Sequence, residues 1–238
     1  MEILSIIPAR GGSKGIPGKN IKSLAGKPLI AYSIEESKKS KYITRTVLST
    51  EDKKIKDIAL QFGSEVVDRP IELAQDETKT APVLLQVLDH LKTTENYVPD
   101  VVILLQPTCP LRTAKEIDEA FDLYFKEDCD SVFAAKYAMK SHSMWKELHN
   151  DSLECLYNYR GRPRRQDENE HFNLYWETGS IYIIKTDIMI KVKDFIGENP
   201  KLYLPPKSID IDTIEDFNTA ENIIKSRLTE TQPAQLYI

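Results

Sequence analysis

Residues 2–20 read EILSIIPARGGSKGIPGKN. The first part, Glu2–Ile7, is a short, almost wholly apolar run, the pattern of a strand covered on both faces as in a parallel sheet. It breaks directly into Arg10–Asn20, which gathers four glycines, the cations Arg10, Lys14 and Lys19, and Ser13 into one turn. In an open α/β sheet ligands bind outside the carboxyl ends of the strands, where this turn must lie. Glycines let backbone N–H groups curl around an anion, and the three cations offset its charge. The pattern is not the Walker loop, which needs glycine at the position of Ser13 and Ser or Thr at that of Asn20, and it lacks GxGxxG. A glycine-rich connection with solvated lysines is the alternative; a phosphate loop is the preferred reading.

The rest of the chain alternates in the same way. Val101–Leu105, Arg45–Ser49, Asp130–Ala135, Ser180–Ile184 and Ser208–Asp212 read as further strands. Thr113 and Glu116 form a capping box at the head of a helix over Thr113–Lys126, with Ile117, Ala120, Phe121 and Tyr124 on one stripe. Thr80–Lys92 repeats the logic with Leu84, Val87, Leu88 and Leu91, and Pro82 falls early, where a missing N–H costs little. A last helix runs from Thr213 to Arg227 on Ile214, Phe217, Ala220 and Ile224. Strand then helix, repeated, predicts an α/β fold with a mostly parallel sheet and right-handed crossovers. Tyr137–Glu177 breaks the rhythm, being polar, aromatic and weakly periodic, so it is a functional loop or a small subdomain. The organisation expected is one domain over 1–228, with 137–177 inserted and 229–238 as a tail.

Composition removes several classes of function. With 32 Lys and Arg against 37 Asp and Glu, the net charge is −5, so no global field draws nucleic acid or an anionic membrane. An anionic ligand must be held by a local cluster. Cys109, Cys129 and Cys155 are odd in number and scattered, and His90, His142, His149 and His171 add no metal-ligand spacing. These features predict a protein of the reducing cytoplasm, with no disulfide framework. The longest aliphatic run, Val101–Leu105, is far short of a membrane span.

Four further segments carry chemistry. In Ser208–Ile209–Asp210–Ile211–Asp212–Thr213 the alternation puts both aspartates on one face, a donor set suited to a hard cation such as Mg²⁺; an exposed strand face with a helix cap is the alternative. Gln106–Arg112, QPTCPLR, offers uncharged hydrogen bonding from Gln106 and Thr108 and a guanidinium fork from Arg112, unless it is only a connector. In RPIELA, from Arg69, followed by Thr80, the threonine alone reads as a helix N-cap. Finally, Arg160, Arg162, Arg164 and Arg165 form a possible carboxylate or phosphate clamp. The acidic Asp167, Glu168 and Glu170 that follow argue against an RNA site there.

Taken in this order, IIPARGGSKGIPGKN, RPIELAQD, LLQPTCPLR and SIDIDT resemble the motifs of the acylneuraminate cytidylyltransferase family, the CMP–sialic acid synthetases, over essentially Met1 to Ile224. The opening loop differs from that of the related Kdo cytidylyltransferases. The resemblance implies a GT-A-type, Rossmann-like nucleotidyltransferase sheet with flanking helices and a small dimerisation subdomain, hence a cytoplasmic homodimer. It implies transfer of CMP from CTP to the anomeric hydroxyl of a nonulosonic sugar acid, with Mg²⁺ as cofactor and neither nucleic acid nor membrane as partner. Arg10, Ser13, Lys14 and Lys19 would line the triphosphate loop, and Asn20, Arg69 and Thr80 would contact the cytidine. Gln106 and Arg165 would face the sugar, and Asp210 and Asp212 would hold the metal. Arg10, Lys19 and Asp212 would be catalytic. Two positions depart from the family. Cys109 stands where many relatives have serine, and FNLYWET before Gly179 lacks the arginine common in N-acetylneuraminate enzymes, so legionaminate, pseudaminate and other acids stay open. A sugar-1-phosphate nucleotidyltransferase and a non-catalytic nucleotide-binding regulator are the rival functions.

Overall fold

The computed structural model describes residues 1–140, 145–147, 153–155 and 173–230. In chain order these form β1 (Ile3–Pro8), β2 (Ser23–Leu24), β3 (Lys27–Pro28), α1 (Leu29–Lys39), β4 (Arg45–Thr50), α2 (Lys53–Gln61) and β5 (Glu65–Asp68). There follow α3 (Thr80–Glu95), β6 (Val101–Leu104), α4 (Ala114–Lys126), β7 (Ser131–Lys140), β8 (Trp145–Glu147) and β9 (Leu153–Cys155). The last elements are β10 (Asn173–Lys185), α5 (Thr186–Val192), β11 (Pro200–Tyr203) and α6 (Ile214–Glu230).

One seven-stranded sheet has the order β11-β7-β10-β6-β1-β4-β5. β1 pairs in parallel with β4 and β6, and β4 with β5, while β10 runs antiparallel to both β6 and β7. The carboxyl ends of β1, β4, β5 and β6 therefore open on one edge, and the first half of β10 returns over that edge. Alternation along the strands feeds two cores. Ile3, Ile7, Leu48 and Ile103 pack with Ile30, Ile34, Ile117 and Phe121 of α1 and α4. Leu4, Ile6, Val47 and Val102 face Leu84, Leu88 and Met189 of α3 and α5. The capping box of Thr113 and Glu116 is present at the head of α4.

Two readings of the sequence need correction. Ser208–Asp212 is not a strand: no ladder partner accompanies it, and it is extended chain held by the bond from Ile211 N–H to the Thr108 carbonyl, 2.9 Å. Its apolar positions are satisfied elsewhere. Ile211 is fully buried in a third core with Ile16, Leu24, Leu29, Leu111 and Phe217, Ala220 and Ile224 of α6, and Ile209 packs at its margin. The ends of the 137–177 segment, in turn, are regular. β7 continues to Lys140 and β10 begins at Asn173, so the polar and aromatic residues there form a two-stranded ribbon, in which Tyr137 and Tyr175 meet edge to face at 6.0 Å. The periodicity is that of a ribbon without a core face, which hydropathy does not mark.

Candidate active site

The loop after β1 is built by short-range bonds. Ala9 N–H continues the ladder to the Ser49 carbonyl, and Gly11 N–H donates to a carboxylate oxygen of Glu51 at 2.6 Å. The Asn20 amide, mostly buried, donates to the Arg10 carbonyl at 2.9 Å and closes the loop on itself. A single 3₁₀ turn, Lys19–Ile21, ends it. Ile16 is sunk into the third core, which pins the middle of the loop against the 208–212 segment. Gly15 makes that approach possible, since a Cβ there would stand 2.6 Å from the Asp212 carbonyl oxygen. Lys19 Nζ accordingly donates to the Ile211 carbonyl at 2.6 Å and lies 3.7 Å from Oδ1 of Asp212.

The opposite wall comes from the chain after β5. Arg69 is buried and donates to the Ser49 hydroxyl (3.2 Å) and carbonyl (2.8 Å). Burial holds its pKa below the ordinary arginine value, against the favourable charge of Glu51. Thr80 is not the cap of α3. Lys79 holds that position without a side-chain cap bond, and Thr80 is the first helical residue, lining the cleft beside Val83.

The floor is the turn after β6. Gln106, Pro107 and Thr108 line the cleft, and the Thr108 side chain hydrogen-bonds Asp210. Burial, with the charge of Asp212 adding to it, raises the Asp210 pKa above the ordinary carboxylate value despite that bond and Lys19. Gly179, at φ +68°, passes so close that a Cβ would meet Oε1 of Gln106 at 2.7 Å and Oδ2 of Asp210 at 3.0 Å. Arg112 is not an anion fork. It is buried and donates from its two terminal nitrogens to the Ser180 carbonyl (2.5 Å), the Ser33 hydroxyl (2.6 Å) and the Gln106 carbonyl (3.3 Å), tying α1, β10 and the floor together. Cys109 is buried, with its thiol directed at the Thr178 carbonyl.

Arg10, Ser13, Lys14, Lys19, Asn20, Arg69, Thr80, Gln106 and Asp212, chosen from separate stretches of sequence, line one cleft of about 390 Å³. Asp210 lies just behind its floor, and Arg165 lies outside the described residues. Sequence reasoning assigned no role to Gln75, Asp76 and Thr78, which complete the wall opposite the loop. The signal was available for Asp76: it is the second of two carboxylates, after Glu72, in RPIELAQD, a motif read for Arg69. Among the described residues no group of three or more His, Cys, Asp or Glu side chains could hold a metal alone. Asp210 and Asp212, two carboxylates on one extended segment at the floor, are a donor set of the kind that fits a cation such as Mg²⁺, which keeps several waters and takes further oxygens from phosphate.

Comparison with known proteins gives one family. A family model described as cytidylyltransferase matches residues 4–233. CMP-N,N'-diacetyllegionaminic acid synthase of Legionella pneumophila is 34% identical over 232 residues, covering 94% of this chain and 97% of that protein. N-acylneuraminate cytidylyltransferase of Streptococcus agalactiae is 32% identical over 91% of this chain, which spans about half of that relative, 52% of its length. Pseudaminic acid cytidylyltransferase of Campylobacter jejuni is 29% identical, over 94% of this chain and 97% of that protein. A solved CMP:2-keto-3-deoxy-manno-octonic acid synthetase in complex with CTP superposes with a TM-score of 0.71 at 16% identity, covering 95% of this chain and all of that one, which speaks to the fold.

Proposed function

We propose that this chain, which belongs to the cytidylyltransferase family, transfers CMP from CTP to the anomeric hydroxyl of a nonulosonic sugar acid and releases pyrophosphate. The observation that carries the reading is the convergence of a cationic glycine loop, Arg69 and Thr80, and Gln106 on one cleft with Asp212 at the junction. In the reaction the sugar hydroxyl oxygen bonds to the α-phosphorus, the bridge to the β-phosphate breaks, and the hydroxyl proton leaves to solvent. Arg10 and Lys14 would bind the leaving phosphates, and Lys19, held in place by the Ile211 carbonyl, would neutralise charge on the transferred group. Arg69 and Thr80 border the space left for the cytidine, and Gln106 the space left for the sugar acid. Arg165 belongs to the same sugar-side reading. Asp210 and Asp212 would hold Mg²⁺, which when bound supplies charge neutralisation on the phosphates and a more acidic attacking hydroxyl. Catalysis by these residues is positioning and electrostatics, with no protein nucleophile.

The proposal includes a homodimer working in the cytoplasm. Tyr137, Tyr175 and Trp176 on the β7–β10 ribbon, 47%, 38% and 53% exposed, offer the aromatic surface that a second copy would cover. No helix among the described residues is long and apolar enough to cross a membrane.

Pyrophosphate release tests the reaction, using each of the four nucleoside triphosphates with Mg²⁺ against N-acetylneuraminate, legionaminate, pseudaminate and Kdo. Release with CTP and one nonulosonate alone is the expected result, and it names the acceptor. Binding of CTP without release for any acid would sink the proposal, and turnover of a sugar-1-phosphate would replace it. Light scattering of the same sample at a single-chain mass would remove the dimer.

A further inference from the structure

Two of the cations read as phosphate contacts are engaged by one carboxylate of the chain itself. Arg10 Nη1 lies 2.9 Å from Oδ1 of Asp76, and Lys14 Nζ lies 2.7 Å from Oδ2. Each oxygen of a single anion thus serves a separate cation, as two oxygens of one phosphate group would. The bridge is made across the mouth of the cleft, between the loop after β1 and the segment after β5. It is reinforced by Arg10, which also donates to the Gln75 carbonyl at 2.9 Å and reaches the Ala74 carbonyl at 3.5 Å. Lys14 holds the Asp76 carboxyl below the ordinary carboxylate range, with Arg10 adding to it. Nothing else fixes Asp76 in a core: its side chain is 36% exposed and Lys14 is 76% exposed, so the contact is of a kind that breaks at small cost.

The charged residues lining the cleft are four cations, Arg10, Lys14, Lys19 and Arg69, against Asp76 and Asp212. Asp212 faces Lys19, so two of the cations answer to Asp76 and one to Asp212. Glu51 has a different place. It binds the backbone N–H of Gly11 from outside the cleft lining and shapes the loop without occupying its cations.

We propose that Asp76 is a built-in counter-anion of the phosphate loop, which the triphosphate must displace from Arg10 and Lys14, and that it thereby sets the affinity for CTP and the ease of pyrophosphate release. The inference rests on the functional reading above for the identity of the nucleotide, but not for the displacement. Any polyphosphate that enters the loop exchanges partners with the same carboxylate. The consequence is weaker binding than the cations alone would give, for substrate and for product alike. The lost factor is that of two exposed ion pairs, about 3- to 10-fold in dissociation constant.

Calorimetric titration of inorganic tripolyphosphate into the full chain and into Asp76→Asn is the test, because it needs neither cytidine nor sugar acid. The substitution keeps the shape and removes the charge, and circular dichroism confirms the fold. Asp76→Asn is expected to bind tripolyphosphate and CTP about 3- to 10-fold more tightly, with pyrophosphate inhibition strengthened by a similar factor. Asp76→Glu, which keeps the charge, is expected to stay near the parent. Equal or weaker tripolyphosphate binding by Asp76→Asn would overturn the inference, since a residue that merely positions Arg10 and Lys14 would lose affinity on removal. Tighter polyphosphate binding in a chain that turns over no sugar acid would uphold it while removing the proposed reaction. Absence of tripolyphosphate binding by both proteins would overturn the inference and leave the proposed reaction to the pyrophosphate-release assay.

Discussion

Gly15→Ala is the smallest change that separates the phosphate loop from the aspartate segment. Its new methyl would stand 2.6 Å from the Asp212 carbonyl oxygen, which is 0.8 Å inside the 3.4 Å at which ordinary contact begins. Neither side can give way alone. Ile16 next to it is 4% exposed and Ile211 is fully buried, both in the core closed by Phe217, Ala220 and Ile224 of α6. The displacement therefore falls on the groups between them, Lys19 Nζ on the Ile211 carbonyl and Asp212 beside it. Overpacking of this kind costs about 1–3 kcal/mol, which for a chain of this size lowers Tm by roughly 2–12 °C. A shift approaching 1 Å in a positioned charge costs about 10²-fold in turnover. Gly12→Ala is the control for the steric term, because a Cβ there meets nothing within 4 Å, and its melting temperature should stay near that of the parent. Thermal melting and kcat with CTP and the accepted sugar acid read the two effects. A Gly15→Ala chain that melts within 1 °C of the parent and keeps kcat within about threefold would refute the claim that this contact positions Lys19.

Arg112→Leu removes three donors from the buried Ser180 and Gln106 carbonyls and the Ser33 hydroxyl. It should destabilise by at least about 3 kcal/mol in urea titration; a change under about 1 kcal/mol would show those contacts to be inert. Burial pushes the Cys109 thiol up to about 12, with the Asp210 charge adding to it, so it is protonated at every pH where the fold is studied. Iodoacetamide at pH 8 should leave it unlabelled in the native chain and label it in urea, by peptide mass spectrometry, and rapid native labelling would contradict that.

Much of this was legible before the structure because the informative features are local. The loop after β1, the capping box of α4 and the stripe of α3 each state their geometry within a dozen residues. The alternation in Ser208–Asp212 was informative even though the strand was wrong. Apolar and acidic positions face opposite ways in any extended chain, and burial of Ile211 on α6 orients the aspartates without a ladder. What could not be read depends on contacts distant in sequence. Arg112 looks like an anion fork until β10 and α1 supply its acceptors, 68 and 79 residues away. Likewise, nothing within RPIELAQD shows that its last carboxylate reaches the cations of the first loop. Helices α1, α2 and α5 and strands β2, β3, β5, β8, β9 and β11 are not among the elements that the sequence pattern predicts, the strands all being four residues or fewer.

That same distribution explains how the cleft is kept in shape. Lys19 and Ile211 are 192 positions apart, yet their bond ties the phosphate loop to the aspartate segment. It holds because the third core draws on both ends of the chain, Ile16, Leu24 and Leu29 from the first and Ile211, Phe217 and Ala220 from the last. Loop closure over such a length is slow and must be repaid by burial, and the fully buried Leu24, Leu29 and Ile211 each contribute about 1.5–3 kcal/mol. A chain with a net charge of −5 can hold an anion only if its cations are concentrated, and concentrated cations need internal partners. Asp212 is placed by that apolar tether and Asp76 by none, which is why the first can serve as a fixed part of the site and the second as an exchangeable one.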